Sequence, residues 1–587
     1  MHQFSSPSQP SVQSPPWLEA IDRGAGGFIG LGLLIAAILL LTVGLGDSPL
    51  RDWDEGLVAQ VAKEIANAPF QDNIWLHPTL QGEPYFNKPP FVHWWVAIAY
   101  KVGGINEWMA RLPGALATAL SVYFLYQLGR ELFPQRITAF FSACTYLTLL
   151  PVVRHGRLAM LDGMVLCAFL SLLICVLRSR HSPRWSLGIG VSLGILVLTK
   201  GVIAVPLMTI ALLFVAWDAP RLLRSPLWWG GIGLGTLPGL LWYAAQGFHY
   251  GQPFWDAHLF QQSLNRVSQT VEQHSGPPWY YGVELLKYSW PWLLFLPMGI
   301  ATTWQNRALS WAKLMGIWGL GYFGLISVMG TKLPWYIMPL YPVLALVIGV
   351  ELHRLWQTLS GESPRLRPSS AYQWLLLGML ILLALVGWGG LGYFSGVFFS
   401  DQTDWSLAMP LGVLGLTMTL AVVLLGRSDR QFISILLWGF YCCLILFVSS
   451  PHWNWELGEE YPVKPVASMI QRAMGQTDLL KSNGSSTHEE PVSSRSNLLN
   501  SEASTIFTSH PYKRPSLDFY SGYNIKPVGL KKLEQRWKKE PSTILLLDKR
   551  ALDKLSLKRM SVLGQHEDWY LVQRKRKTPG KSKTTQP

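Results

Sequence analysis

The sequence predicts a polytopic α-helical membrane protein with a small soluble domain at its C-terminal end. Three observations carry this. The 587 residues are 49% hydrophobic and 14% charged, whereas soluble chains carry about 25% charged residues. Apolar runs of helix length recur from Gly26 to about Ser449. After Pro451 the composition changes, with 23 Lys+Arg against 14 Asp+Glu, which supplies +9 of the net charge of +14.

Residues 1–25 open with a Ser/Pro/Gln-rich stretch and are expected to be disordered and cytoplasmic. Residues 26–450 form the membrane domain. Its first span is Gly26–Leu45, about 20 residues long and without a secretory cleavage site, so it reads as retained. Twelve further candidate spans follow near 112–130, 137–153, 161–177, 186–200, 202–217, 227–245, 286–302, 311–329, 334–350, 373–394, 406–426 and 431–449, about thirteen in all. The pair 186–200 and 202–217 requires Lys200-Gly201 to turn the chain alone. All five cysteines sit in apolar runs and read as packing residues. There is no internal repeat.

Two large loops interrupt the spans, 46–111 and 246–285. In the first, Leu57, Val58, Val61, Ala62 and Ile65 recur at helical spacing. Phe91–Val102 is apolar but too short to cross about 30 Å of hydrocarbon, so it is expected to lie in the interface. Residues 451–573 read as an external α/β domain. Ile506–Ser509, Thr543–Leu547 and Trp569–Gln573 are predicted strands, and Leu530–Glu540 and Lys549–Ser556 predicted helices. A Ser/Asn-rich insertion at 475–504 is expected to be flexible, and 574–587 is a basic tail.

Alternate short loops are rich in arginine: Arg130/Arg136, Arg178/Arg180/Arg184, Arg221/Arg224, Arg307/Lys313, Arg354/Arg365/Arg367 and Arg427/Arg430. The positive-inside rule makes these cytoplasmic. The N-terminus is then inside, and both large loops and the tail are outside. On this topology Asp54, Glu55, Glu83, Lys88, Arg154, Arg157, Asp162, Lys200, Arg266 and Lys332 fall in one external layer. A transporter would instead need charged sites near the midplane. The layer suits an enzyme working on a lipid-linked substrate at the membrane surface, with a carrier of lipid-linked sugars as the alternative.

Each residue also has a structural reading. Asp52 with Glu55 has the spacing of a capping box, and Asp54 then only complements the helix dipole. Lys88, Lys200 and Lys332 fit interface anchors. Asp162 fits a helix cap, and Arg266 and His274 fit solvated loop positions.

The stretches DWDEG, GEPYFNKPP, RLPGALATAL and LFPQR, with RLAMLDGM at 157–164, LVLTKGVIAVP at 196–206, NRVSQTVEQHSGPPWYYGVELL at 265–286 and TKLPWYIMPLYP at 331–342, resemble the lipid A aminoarabinose transferase and protein O-mannosyltransferase superfamily. These are polyprenyl-phosphate-sugar-dependent glycosyltransferases of GT-C fold, and the resemblance covers roughly residues 30–350. It implies Asp54 as general base with Glu55 as its partner, Asp162 as a second acid, and Lys88 on the lipid phosphate. Arg266, Lys332 and Tyr336 would line the donor phosphate site, with Glu83, Lys200 and His274 in the same substrate-binding group. The implied donor is a sugar on an undecaprenyl-type phosphate, and the acceptor an envelope glycolipid such as lipid A, or a protein. The implied place is the outer face of a bacterial plasma membrane.

The chemistry fits independently. A departing phosphate needs cations, and an acceptor hydroxyl needs a carboxylate base. One displacement inverts the anomeric carbon. No cofactor is required, although Asp54 and Glu55 are compatible with a divalent cation. There is no Gly-rich phosphate loop, no His/Cys zinc pattern, and no nucleic-acid partner is expected.

Overall fold

With no water inside a bilayer to satisfy peptide groups, an apolar run there must close its hydrogen bonds within itself. The computed structural model has that character. It describes residues 26–52, 54–268, 275–361, 370–398, 403–454, 462–482, 505–540 and 543–575. These form two compact units. The first comprises residues up to Leu45, Phe86–Phe91 and Gly114–Trp453; the second comprises Gly46–Tyr85, Val92–Pro113 and the chain from Asn454 onward.

The first unit is helical. Among the described residues seven runs are long and apolar enough to cross a membrane, or eight if Arg136–Leu147 and Leu150–Gly156, bent by 60°, cross as one. The thirteen spans expected from sequence are not reached by this measure. Gly26–Thr42 has 17 residues, and 286–302 is divided among the end of Tyr280–Tyr288, the 3-10 turn Trp292–Leu294 and the helix Leu296–Gln305. Trp185–Asp218 is one helical run of 34 residues. It contains a break at Gly201, where φ is +56° and a single 3-10 turn, Gly201–Ile203, intervenes. At 1.5 Å per residue this run is about 51 Å long, against about 30 Å of hydrocarbon.

One close helix crossing in this unit joins Trp185–Lys200 to Pro226–Tyr250. Ser186, Gly190 and Gly194 recur every four residues on one helix, facing Gly231, Gly235 and Gly239 on the other. A Cβ on Gly190 would stand 2.3 Å from the Ile232 carbonyl oxygen, and one on Gly235 2.5 Å from the Val191 nitrogen. Small residues let the backbones touch, which in lipid replaces the absent hydrophobic drive.

The second unit joins the first large loop to the tail. The helix Glu55–Asn67 buries Val58, Ala59, Val61, Ala62 and Ile65, matching the predicted apolar face. Strands β1 (Thr79–Leu80) and β2 (Glu83–Pro84) form a hairpin whose two turn residues, Gln81 and Gly82, have φ of +59° and +78°, the signature of a type I′ turn. Glu64 ties the hairpin to the helix, accepting from Thr79 Oγ1 and the Gln81 N–H, each at 2.7 Å. The helix Phe91–Gly103 buries Val92, His93, Val96, Ala97 and Tyr100 while Trp95, Ile98 and Val102 face outward. An outward apolar face is what an interfacial helix requires.

The tail contributes β3 (Thr505–Thr508), β4 (Asn524–Pro527), β5 (Ile544–Asp548), β6 (Met560–His566) and β7 (Trp569–Arg574), in the order β4-β3-β5-β7-β6. The first two pairings are parallel and the last two antiparallel. Leu545 and Leu547 pack with Leu533 and Trp537, while Ile544 and Leu546 pack with Val466 and Ile470. An uninterrupted apolar strand such as Ile544–Leu547 is thus covered on both faces. The helix Val463–Ser482 extends into the segment expected to be a flexible insertion, correcting its start from 475; residues 483–504 lie outside the described residues.

Loop and tail are joined by buried and half-buried polar bonds. Asp52 accepts from Arg514 at 3.1 Å, from the Ser516 N–H at 3.2 Å and from the Ser516 hydroxyl. The Tyr520 hydroxyl accepts from the Leu50 N–H at 2.7 Å and donates to Glu107 at 3.0 Å. Lys63 donates to the Phe519 carbonyl at 2.8 Å. The loop is therefore built together with the tail, rather than as part of the membrane domain to which sequence assigned it.

Candidate functional site

The helix Asp162–Ser179 begins at Asp162, and the sequence offers no capping bond there. Instead the Asp162 carboxylate takes Lys200 at 2.8 Å, with Asp162 3% and Lys200 11% exposed. Lys200 is the last residue of its helix, and its ammonium also lies 5.8 Å from the centre of the Tyr336 ring. Tyr336 belongs to the 3-10 segment Pro334–Leu340. Three residues drawn from three separate motifs thus meet in one place.

Lys332 stands nearby in sequence and is buried. It donates to the carbonyls of Ile326 and Ser327 at 2.8 and 2.6 Å, closing the C-terminal end of the helix Ser310–Val328, where a cation is favoured. Its stem lies under Gly276, and its ammonium is 5.5 Å from the Tyr281 ring centre. The Arg266 carbonyl accepts from the Thr331 N–H at 3.2 Å, so the second loop is stitched to the Lys332 segment. The Arg266 guanidinium donates to Gln262 at 3.2 Å. His274 lies outside the described residues.

Lys88 follows Phe86 and Asn87 in the six residues that group with the helices. The Phe86 carbonyl accepts from Nδ1 of His258 at 2.7 Å. His258 is buried, and its Nε2 accepts from the Tyr243 hydroxyl at 2.8 Å. Burial holds the His258 pKa down at about 4; the bond to Phe86 opposes this and the Lys88 charge adds to it.

The acids of the first loop divide. Asp54 occupies the N-cap position of Glu55–Asn67 with helical backbone angles and no side-chain capping bond. It is half-buried, and its charge helps raise the pKa of the buried Tyr85, whose main cause is desolvation. Glu55 is fully buried. Its two oxygens take Arg111 Nε at 2.7 Å and Nη2 at 2.9 Å, and one also takes the Arg51 N–H at 3.2 Å. Arg111 further donates to the carbonyls of Ser48 and Pro49. One expectation is corrected: Asp52 and Glu55 form no capping box. Glu55 is bound bidentately by Arg111. The pair Asp54 and Glu55 does not fit a divalent cation either, since the oxygens of Glu55 are held by arginine. Among the described residues no group of three His, Cys, Asp or Glu side chains could hold a metal. Glu83 is exposed on β2.

Sequence reasoning missed Arg111, His258 and Tyr243. Arg111 opens RLPGALATAL and could have been suspected as an arginine entering an apolar helix. His258 carries no local pattern.

Residues 87–242 match a family profile described as dolichyl-phosphate-mannose-protein mannosyltransferase. The chain is 31% identical over 366 residues to an undecaprenyl phosphate-α-4-amino-4-deoxy-L-arabinose arabinosyl transferase of Pseudomonas fluorescens, covering 60% of this chain and 64% of the relative. It is 28% identical over 348 residues to the enzyme of that name from Yersinia enterocolitica, covering 56% and 59%. The chain therefore spans less than two thirds of the length of these relatives. Among solved structures, ArnT from Cupriavidus metallidurans bound to undecaprenyl phosphate superposes with a TM-score of 0.69 at 19% identity, over 94% of this chain and 98% of that one. The archaeal oligosaccharyltransferase AglB from Archaeoglobus fulgidus superposes with a TM-score of 0.51 at 12% identity, over 89% and 70%. The resemblance carried by the motifs is borne out: this chain has the GT-C membrane fold and is related in sequence to the undecaprenyl-phosphate aminoarabinose transferases.

Proposed function

We propose that the chain is a membrane glycosyltransferase that moves a sugar from an undecaprenyl-type phosphate to a hydroxyl or phosphate acceptor on an envelope lipid. The observation that carries the reading is the meeting of Asp162, Lys200 and Tyr336, contributed by three motifs distant in sequence, in a chain related to transferases of that donor class. Lys88 and Arg266 hold the donor phosphate. Lys332 supports the same segment from beneath. Asp54 takes the acceptor proton as the acceptor oxygen bonds to the anomeric carbon. The bond from that carbon to the phosphate oxygen breaks, and polyprenyl phosphate leaves with inverted stereochemistry at the sugar. Lys200 pairs with Asp162 at the edge of the sugar site. The reaction takes place on the external face of a bacterial plasma membrane, with the N-terminus inside.

The test is sugar transfer by purified protein in lipid, with undecaprenyl-phosphate-linked aminoarabinose as donor and lipid A as acceptor. Asp54→Asn keeps the size of the side chain but cannot take a proton, and should lose on the order of 100-fold or more in turnover while still binding undecaprenyl phosphate. Asp72→Asn, at an exposed 3-10 position of the same loop, is the control. Equal rates for the two variants would remove Asp54 from the chemistry.

A further inference from the structure

The second large loop carries a nine-residue π-helix, Asp256–Leu264. Wide π turns are uncommon and cluster at functional sites. Here the turn aims His258 inward, where its ring stacks on Phe254 with centroids 5.3 Å apart and an interplanar angle of 9°. The ring's two nitrogens have different partners. A carbonyl can only accept, so the 2.7 Å bond to Phe86 makes Nδ1 the protonated nitrogen. Nε2 is then the acceptor for the Tyr243 hydroxyl. The tautomer is fixed by the two neighbours, and the neutral ring is the form that fits.

This pair touches two turns that carry lysines. Phe86 lies two residues before Lys88, and its ring is packed edge-on against Tyr250 and Phe254. Gly201 lies one residue after Lys200, and a Cβ there would stand 2.7 Å from the Tyr243 hydroxyl and 3.2 Å from His258 Nε2. With φ at +56° and no room for a side chain, that turn is seated on the pair.

We infer that His258, oriented by Tyr243, is a positioning residue that fixes the Phe86 carbonyl and through it the placement of the phosphate-binding Lys88. The inference rests on the proposed role of Lys88 in donor binding. His258 touches neither sugar nor phosphate; it removes the freedom of a loop that otherwise has to be ordered on each binding event.

The experiment uses the full chain in lipid nanodiscs. Binding of undecaprenyl phosphate is measured for wild type, His258→Ala, His258→Asn, Lys88→Ala and the double variant His258→Ala/Lys88→Ala. His258→Ala should weaken binding about tenfold, the scale of one hydrogen bond, and raise KM for the donor with little change in kcat. His258→Asn, which restores an N–H toward Phe86, should recover most of the loss. In the Lys88→Ala background His258→Ala should add less than about twofold, because the two act through one another. Equal effects of His258→Ala in both backgrounds, or wild-type binding by folded His258→Ala, would overturn the inference. If His258→Ala does not fold, Tyr243→Phe runs the same cycle, and additivity with Lys88→Ala is again the overturning result. The rate of Lys88 acylation by a water-soluble ester, read by mass spectrometry, tests the placement without any donor: it should change in His258→Ala, and an unchanged rate sinks the idea. Failure of the wild type to bind undecaprenyl phosphate would instead strike the proposed function.

Discussion

Glu55 shows why a motif does not settle a role. It sits beside Asp54 in DWDEG, yet its carboxylate is enclosed and held by Arg111 with two short bonds. Removing one partner of a buried pair leaves the other uncompensated, at a cost of about 3–5 kcal/mol. Glu55→Gln and Arg111→Leu should therefore both lower the melting temperature, while the fraction that remains folded turns over at a rate close to wild type. A stable Glu55→Gln protein with turnover reduced 100-fold would return Glu55 to the chemistry. Burial and partner geometry carry this expectation, and neither is visible in a string of residues. Asp162, Lys200 and Tyr336 were legible because motif order marked them. Their ion pair and ring contact were not, because only the helix ends bring them together.

At the scale of elements, periodicity served well where one face is buried. The helix Glu55–Asn67, the helix Leu530–Lys539 and the strands β3, β5 and β7 match the predicted segments closely. Strands β4 and β6 went unread: β4 ends in proline, and β6 has a bulge between Val562 and Gly564 that interrupts its alternation. The spacing of Ser186, Gly190 and Gly194 against Gly231, Gly235 and Gly239 was present in the sequence as well. Gly235→Leu should force these helices apart and reduce the yield of folded protein, whereas Gly230→Leu, where a side chain meets open space, should be tolerated. Comparable yields would remove the crossing as a determinant.

The second unit also has an acid-sensitive joint. His510 is held at a pKa of about 4 by burial and by the Arg514 charge. Its Nε2 accepts from Arg514 Nε at 2.8 Å, and the same arginine binds Asp52. The folded pKa lies below the unfolded value of about 6.5, so the unfolded chain takes up the proton first and stability falls as pH drops from about 6.5 toward 4. His258 contributes in the same direction. The melting temperature should decline through that window, and His510→Gln should flatten part of the decline. An unaltered pH profile in His510→Gln would show that the joint does not titrate there.

For the whole molecule, the grouping of loop and tail constrains topology. Both parts of one unit are expected on the same side of a bilayer, which calls for an even number of crossings between Leu45 and Trp453. In a variant with Cys442 replaced by serine, cysteines introduced at Asp72 and Lys538 should both react with an impermeant thiol reagent applied from outside. One at Arg224 should react only after permeabilisation. Labelling of Asp72 and Lys538 positions from opposite sides would break the unit apart.

The same grouping sets a schedule for making the protein. Pro113 leaves the ribosome long before Asn454 does, and at roughly 5–20 residues per second the interval is tens of seconds. Throughout it, Asp52, Lys63 and Glu107 are already synthesised while Arg514, Ser516, Phe519 and Tyr520 are not. Until they arrive the loop bearing Asp54 lacks these bonds. On the proposed function, transfer waits for Arg514–Tyr520, and a copy truncated before them is expected to be silent.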